Sequence, residues 1–282
     1  MKRGSNKSMG KVRTEQGHKF DSKINYDKYY TPREISKYCI NKTFEILNKY
    51  EISEIIEPSA GNGSFSKQIK NCIAYDIEPE SQFIIKQDFL KLVLGYKKGR
   101  LFIENPPFGA RNTLAKKFYE KCCSEGDYIA FILPISQYNN NYQFYKFDLI
   151  HSEIIDSKHF INLDDRIKLT FNIYKRPKVI NDKPSYKMQS VNITDYRRGG
   201  NSIVGNYDIG ICSWGNAIGK ETEYVGQYAQ ELYVEVEETF RDDVIKLIKN
   251  TDFKNDFFHT STPKLQVWRL EKYIKENIKG IS

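Results

Sequence analysis

The sequence predicts an α/β fold: a mostly parallel, twisted sheet with helices on both faces, followed by a smaller C-terminal extension. Three observations predict it. Short apolar runs alternate with amphipathic stretches from Pro32 to Pro177, the rhythm of strand and helix units around a parallel sheet. Each run closes on a polar, Gly or Pro signal, as strand ends do. After Pro177 the texture changes to a polar segment, Asn181–Asn206, a Gly-rich stretch around Trp214 and an acidic run, Glu221–Asp243.

Residues 1–28 hold eight Lys/Arg against three Asp/Glu and are rich in Lys, Gly and Ser, so a mobile basic arm is expected there. Residues 29–178 form the expected catalytic unit. Pro32–Tyr50 carries Ile35, Tyr38, Cys39, Ile46 and Leu47 at helical spacing, with Thr31 placed to cap the helix and Pro32 suited to its first turn. Ser53–Pro58 reads as a strand, Ser64–Asn71 as a short helix, Cys72–Ile77 and Phe83–Gln87 as strands. Leu101–Glu104 is another strand, Leu114–Cys123 a helix and Tyr128–Leu133 a buried strand. Strands also fit Glu153–Asp156 and Leu169–Tyr174. Residues 179–282 form the extension, with an amphipathic helix from Leu265 to Ile278.

Composition narrows the function classes. Of 282 residues, 39% are hydrophobic, enough for a core, and no apolar run approaches membrane-spanning length. The start carries no apolar stretch of a secretory signal. The five cysteines form no CxxC pair and no metal spacing with the four histidines, so reduced thiols, no metal and a cytoplasmic setting are expected. The net charge of +8 suits a phosphate backbone, though a basic end serves solubility equally well.

The chemistry concentrates at successive strand ends. Glu57-Pro58-Ser59-Ala60-Gly61-Asn62-Gly63-Ser64-Phe65 follows a strand and opens a helix; its glycines permit tight turns and close approach of a ligand. It is not the GxGxxG of nicotinamide sites. The next strand ends in Asp76-Ile77, where a carboxylate can accept ribose hydroxyls. The third ends in Asp88-Phe89, where a carboxylate can take an adenine amino proton beside an apolar cover. Ligands of such sheets bind at the carboxyl ends of the strands. In Glu104-Asn105-Pro106-Pro107-Phe108-Gly109 the prolines are stiff and can hold the Pro106 carbonyl towards a site. The Asn105 amide oxygen is a second acceptor, and Phe108 offers a flat face. Two acceptors on a conjugated amino group draw its nitrogen towards tetrahedral geometry and free its lone pair for attack on a methyl group. The bland alternatives are an ordinary glycine turn, solvated aspartates and a diproline turn. The three strand-end signals in order, joined by the Asn-Pro-Pro-Phe loop, weigh against them.

These residues resemble those of the S-adenosylmethionine-dependent amino-methyltransferases, specifically the DNA adenine methyltransferases with an Asn-Pro-Pro-Phe loop. The resemblance covers about residues 29–178. It implies the Rossmann-like methyltransferase fold, with S-adenosyl-L-methionine as cofactor and S-adenosyl-L-homocysteine as product. Glu57–Phe65 resembles the cofactor loop, Asp76 and Asp88 the ribose and adenine contacts, and Tyr30-Thr31-Pro32 the segment that helps hold the methionine end. The order of these segments is that of the family's gamma group, whose target recognition domain follows at the C-terminus. A looser likeness runs over Leu169–Arg176, where Tyr174 is expected against a flipped adenine; a plain strand tyrosine is the competing reading. Glu104 departs from the small or apolar residue expected there, and an ion-pair partner and a target contact are both open for it.

The resemblance implies double-stranded DNA as partner, with base flipping, and a restriction endonuclease as an optional companion, in a bacterial or phage-infected cell; monomer and dimer are equally open. Lys183, Lys187, Arg197, Arg198 and Trp214 are the expected DNA contacts of the extension, each also readable as a solvated surface residue, with Glu221–Asp243 expected to face away. RNA amino-methylation is the alternative. Protein glutamine methylation stands behind it, because those enzymes usually carry Tyr at the position of Phe108. A non-catalytic nucleic-acid binder would have little reason to keep both loops.

Overall fold

The computed structural model describes residues 29–155, 168–256 and 264–282. The expected arm 1–28 and the Asp156 end of one expected strand lie outside them.

Seven strands form the main sheet: β1 Glu54–Glu57, β2 Ile73–Asp76, β3 Ile85–Lys86, β4 Arg100–Glu104, β5 Tyr128–Pro134, β6 Asp148–Ile155 and β7 Leu169–Lys175. Their order is β3-β2-β1-β4-β5-β7-β6. The β3-β2, β2-β1, β1-β4 and β4-β5 pairs are parallel, and β7 runs antiparallel to both β5 and β6. This is the Rossmann-like α/β arrangement that the alternation predicts. The strand order reverses between β1 and β4, so the crevice of the sheet opens where Glu57 and Glu104 end their strands.

Helix α1 (Arg33–Ile46) covers one face and α2 (Thr113–Glu125) the other. Alternation along the central strands feeds both. Leu101, Ile103, Ala130, Ile132, Phe171 and Ile173 pack with Cys39 and Ile40 of α1. Phe102, Ile129, Phe131, Leu133 and Tyr174 pack with Ala115, Phe118, Tyr119 and Cys122 of α2. Every residue of β4 is buried, as expected of a strand covered on both sides.

Two local expectations change. The first helix stops at Ile46, a 3-10 turn takes Lys49–Glu51, and Pro32 occupies the N-cap with no side-chain cap; Thr31 is buried instead. Ser64–Asn71 yields only the 3-10 turn Ser66–Gln68. There the N–H groups of Phe65 and Ser66 turn to the Glu57 carboxylate, and Asn71 reverses the chain with φ of 61°, which leaves too few residues to repay helix nucleation.

The C-terminal portion carries its own antiparallel sheet, β8-β10-β9 (β8 Val191–Arg197, β9 Ile209–Cys212, β10 Gln230–Val236), with helices α3 Arg241–Lys249, α4 Phe253–Asp256 and α5 Val267–Asn277. Val234, Ile211 and Leu232 of the sheet pack with Val244 and Ile248 of α3 and Leu270 and Ile274 of α5. It meets the main sheet beside the end of β5. Trp268 stacks on Tyr142 with centroids 4.3 Å apart and planes 2° from parallel, and the Arg269 guanidinium donates to the Ser136 carbonyl at 3.1 Å.

Candidate functional site

The site forms where four stretches distant in sequence meet at the carboxyl ends of β1, β2 and β4. The Gly loop leaves β1 through buried Glu57 and Pro58. Gly61 and Gly63 take φ of 53° and 82°, left-handed values that side chains resist; a Cβ on Gly63 would lie 2.8 Å from the Phe83 ring. The Glu57 carboxylate accepts the N–H groups of Phe65 at 3.2 Å and Ser66 at 2.8 Å, which fixes the curl of the loop. Burial pushes the Glu57 carboxyl up to about 7 against those hydrogen bonds.

Asp76 ends β2 and ties the same loop from its other side. One oxygen accepts Gly61 N–H at 2.7 Å, the other Glu78 N–H at 2.7 Å. Each oxygen keeps a further lone pair for a ligand hydroxyl. Ile77, next along, is exposed. Asp88 sits past β3, accepts Leu90 N–H at 3.0 Å and pairs with Lys91 at 3.1 Å.

The segment before α1 lies over this loop. Ser64 Oγ donates to the Thr31 carbonyl at 3.0 Å, the Tyr30 hydroxyl donates to Glu80, and Pro32 accepts Ser36 N–H at 3.0 Å. The Tyr30 ring stands 3.9 Å from where a Gly61 Cβ would lie. Tyr30, Thr31 and Pro32 are thus brought to the Gly loop, although no spacing in the sequence measures that distance.

The Asn105-Pro106-Pro107-Phe108 loop leaves β4 next to them. Asn105 Nδ2 donates to the Tyr29 carbonyl at 3.1 Å, while Asn105 Oδ1 is buried and has no hydrogen-bond partner among the described residues. The Phe108 carbonyl accepts Leu114 N–H at 3.1 Å, which pins the loop to the first turn of α2. Gly109, with φ of 66°, makes the bend; a Cβ there would lie 2.9 Å from Leu114 Cβ. Arg111 and Asn112 follow in the left-handed region, φ 55° and 61°.

Four expected ligand contacts have other places. Phe65 is 1% exposed and belongs to the core under α1, so it serves the loop through its backbone N–H. Phe89 is 2% exposed; its ring stacks on Phe118 and meets Phe102 edge-on. Tyr174 is fully buried against Tyr119 and Phe144 on the α2 face, where its hydroxyl accepts from Asn172 at 2.9 Å. Phe108 is 3% exposed with its ring tilted 34° to that of Tyr29 at 5.8 Å, so it presents no open stacking face. In each case an aromatic beside a polar motif finds more apolar area to bury in the core than at a wet strand end.

Glu104 had two open readings from sequence, and among the described residues it has no ion-pair partner, so the first does not hold. It is fully buried, accepts the Ser59 hydroxyl on one oxygen, and has no partner among the described residues on the other. Burial, with Glu57 and Asp76 nearby, holds its carboxyl well above the usual range. The departure from a small or apolar residue before Asn105 was the signal that could have found it.

The expected nucleic-acid contacts are spread over the C-terminal portion. Lys183 lies over the Tyr142 ring at 4.8 Å and Lys187 is exposed. Arg197 pairs with Asp195 at 3.5 Å, and Arg198 donates to the Gly226 and Gln227 carbonyls. Trp214 is half-exposed, with a backbone bridge to Lys264. In the acidic run Glu231 alone among the acids leaves the surface: it is fully buried and accepts from Gly226 N–H, Tyr228 N–H and the Tyr233 hydroxyl, while the run's other acids are exposed. Among the described residues no group of three or more His, Cys, Asp or Glu side chains could hold a metal ion, and no helix is long and apolar enough to cross a membrane.

No protein-family model and no curated protein matches the chain. Solved structures do. A candidate RNA methyltransferase from Pyrococcus horikoshii is 16% identical over 54% of this chain and 87% of its own, with a TM-score of 0.41. A candidate class I S-adenosylmethionine-dependent methyltransferase from Listeria monocytogenes is 14% identical over 60% and 67%, TM-score 0.41. The 23S rRNA methyltransferase ErmE is 12% identical over 57% and 74%, TM-score 0.38.

Proposed function

We propose that the chain is an S-adenosylmethionine-dependent methyltransferase that acts on the exocyclic amino group of a nucleobase, in the first reading the N6 amino group of adenine in double-stranded DNA. The observation that carries this is the state of Asn105. Its amide nitrogen is spent on the Tyr29 carbonyl, so the amide oxygen is oriented as an acceptor, and that oxygen is buried without a partner among the described residues. A buried acceptor left unpaired costs free energy unless a donor arrives. An amino group is such a donor.

The residues present fit the cofactor. The left-handed glycines turn the backbone sharply at the strand ends, Asp76 retains lone pairs for ribose hydroxyls, and three acids, Glu57, Asp76 and Glu104, end adjacent strands beside them. S-adenosylmethionine, when bound, supplies a methyl group on a sulfonium leaving group. The chain's own work is to hold and orient. Asn105 Oδ1 and the Pro106 carbonyl accept the amino hydrogens, the nitrogen lone pair is released from the ring, and positioning with developing-charge stabilisation lowers the barrier. No side-chain nucleophile is required. An adenine within a duplex must leave the stack to reach Asn105, and the C-terminal portion docked beside β5 is suited to hold the flanking nucleic acid.

RNA is the second reading. The Asn-Pro-Pro-Phe-Gly loop also suits RNA amino-methyltransferases, and two of the similar solved structures bear names of RNA enzymes. Transfer of labelled methyl to unmodified double-stranded DNA and to RNA in parallel, followed by nucleoside analysis, tests both. Label in N6-methyladenine from DNA supports the first reading, label in RNA alone replaces the substrate, and label in neither overturns the proposal.

A further inference from the structure

We propose that Glu104 is a cofactor-discriminating residue: a buried acid that holds a proton until a cationic ligand occupies the strand ends, and so distinguishes the methyl donor from its demethylated product. The proposal rests on the methyltransferase reading above.

Three acids end three adjacent strands, Asp76 on β2, Glu57 on β1 and Glu104 on β4. All are buried, at 8%, 2% and 0% exposure. Two of them have hydrogen-bond donors on both oxygens: Glu57 takes two backbone N–H groups of the Gly loop, and Asp76 takes those of Gly61 and Glu78. Glu104 differs. One oxygen accepts the Ser59 hydroxyl, and the other is buried and has no partner among the described residues. The charged or titratable groups near it are Glu57 from β1, Asp76 from β2 and the Cys122 thiol from α2; no basic side chain is paired with it among the described residues. Its α2 neighbour is therefore neutral, and its sheet neighbours are acids. A second or third anion in such a place is strongly disfavoured, and the group neutralises by holding its proton.

The donor and its product share an adenosine and an amino-acid end and differ in one methyl group and one positive charge on sulfur. An opposite charge within a few ångströms typically lowers a carboxyl pKa by about 1–3 units. The sulfonium therefore favours release of the Glu104 proton, and the neutral thioether does not. Ser59 lies in the Gly loop and Glu104 immediately precedes Asn105, so the same hydrogen bond joins the cofactor loop to the catalytic loop.

The experiment is calorimetric titration of the full chain with S-adenosylmethionine, S-adenosylhomocysteine and the cationic analogue sinefungin, between about pH 6 and pH 8.5, in buffers of different ionisation heats. The expected result is proton release on binding of the two cationic ligands, donor affinity that rises as the pH rises, and product affinity without that slope. In Glu104→Gln the donor's slope disappears and its preference over product falls roughly tenfold, while product affinity, which also reports the fold, stays within a few-fold. A Glu104→Gln protein that retains the slope and the preference overturns the assignment and moves the proton to Glu57. Should that variant fail to fold, equal proton release by the wild type with donor and product overturns it as well. Binding of neither ligand by the wild type overturns the methyltransferase reading, and this inference with it. Binding of both without proton release overturns this inference alone.

Discussion

The side-chain amide of Asn105 donates to the backbone carbonyl of Tyr29 at 3.1 Å. A carbonyl only accepts, so this contact decides which end of the amide faces the site, and it joins the Asn-Pro-Pro-Phe loop to a segment 76 residues earlier.

Asn105→Ala removes that acceptor without touching the Gly loop. Methyl transfer is expected to fall at least about 10²–10³-fold, the usual loss for one donor or acceptor of a charge-stabilising site. Cofactor affinity, read by calorimetry, is expected to stay within a few-fold. Loss of cofactor binding would remove the role given to Asn105.

Asp76→Ala frees two backbone N–H groups that hold the Gly loop and deletes the acceptor for ribose hydroxyls. Cofactor affinity should weaken by roughly tenfold or more, since hydrogen bonds to a charged group are worth about 1.5–3 kcal/mol. An unchanged dissociation constant would refute the assignment.

Tyr174→Phe tests the correction to the site. The hydroxyl accepts from buried Asn172 and lies on the α2 face. Stability should drop by about 1 kcal/mol in chemical denaturation, with the transfer rate within about twofold of wild type. A large loss of activity in a protein of normal stability would return Tyr174 to the base.

The Glu57 carboxyl has a folded value of about 7 against an ordinary 4.5, so the folded protein binds a proton that the unfolded chain has released between those values. Stability of the cofactor-free protein should therefore be highest on the acid side of this window and fall as the pH rises through it, by up to about 3 kcal/mol, levelling above. Denaturation midpoints at several pH values check the sign; stability that increases across the window through this group would contradict it. Glu57→Gln should flatten this part of the profile.

Nucleic-acid affinity should fall steeply with salt, log K dropping by about 0.9 per phosphate contacted on duplex DNA for each tenfold rise in salt. Filter binding across a salt series measures it. Arg197→Ala and Lys187→Ala should each reduce the slope by about one if they meet the backbone. A salt-insensitive affinity would argue against backbone contacts altogether.

The legible parts of the fold were those where one element's pattern suffices. The β4, β5 and β7 strands are buried almost throughout and built on apolar runs because both faces are covered, and α2 shows its buried stripe at Ala115, Phe118, Tyr119 and Cys122. The helix expected at Ser64–Asn71 was not legible, because its first N–H groups belong to a carboxylate eight residues earlier in the chain. In the C-terminal sheet β8 was hidden by polar composition: only Val191 of its seven residues is buried, and the rest lie at partly or fully exposed positions.

The same division runs through the site. By itself the sequence determined the chemistry on offer: a glycine loop, acids at successive strand ends and an Asn-Pro-Pro-Phe turn, because backbone freedom, charge and hydrogen-bonding capacity belong to residue types and their order. Only the tertiary structure decided which groups are available. Phe65, Phe89, Phe108 and Tyr174 went to the core because burying a ring in a packed interior outweighs leaving it at a wet strand end. Glu104 became a buried, half-satisfied acid because β4 lies between β1 and β5 beneath α2. Burial and partnership depend on which strands lie side by side, and that is settled by the whole chain's packing, not by any local run of residues.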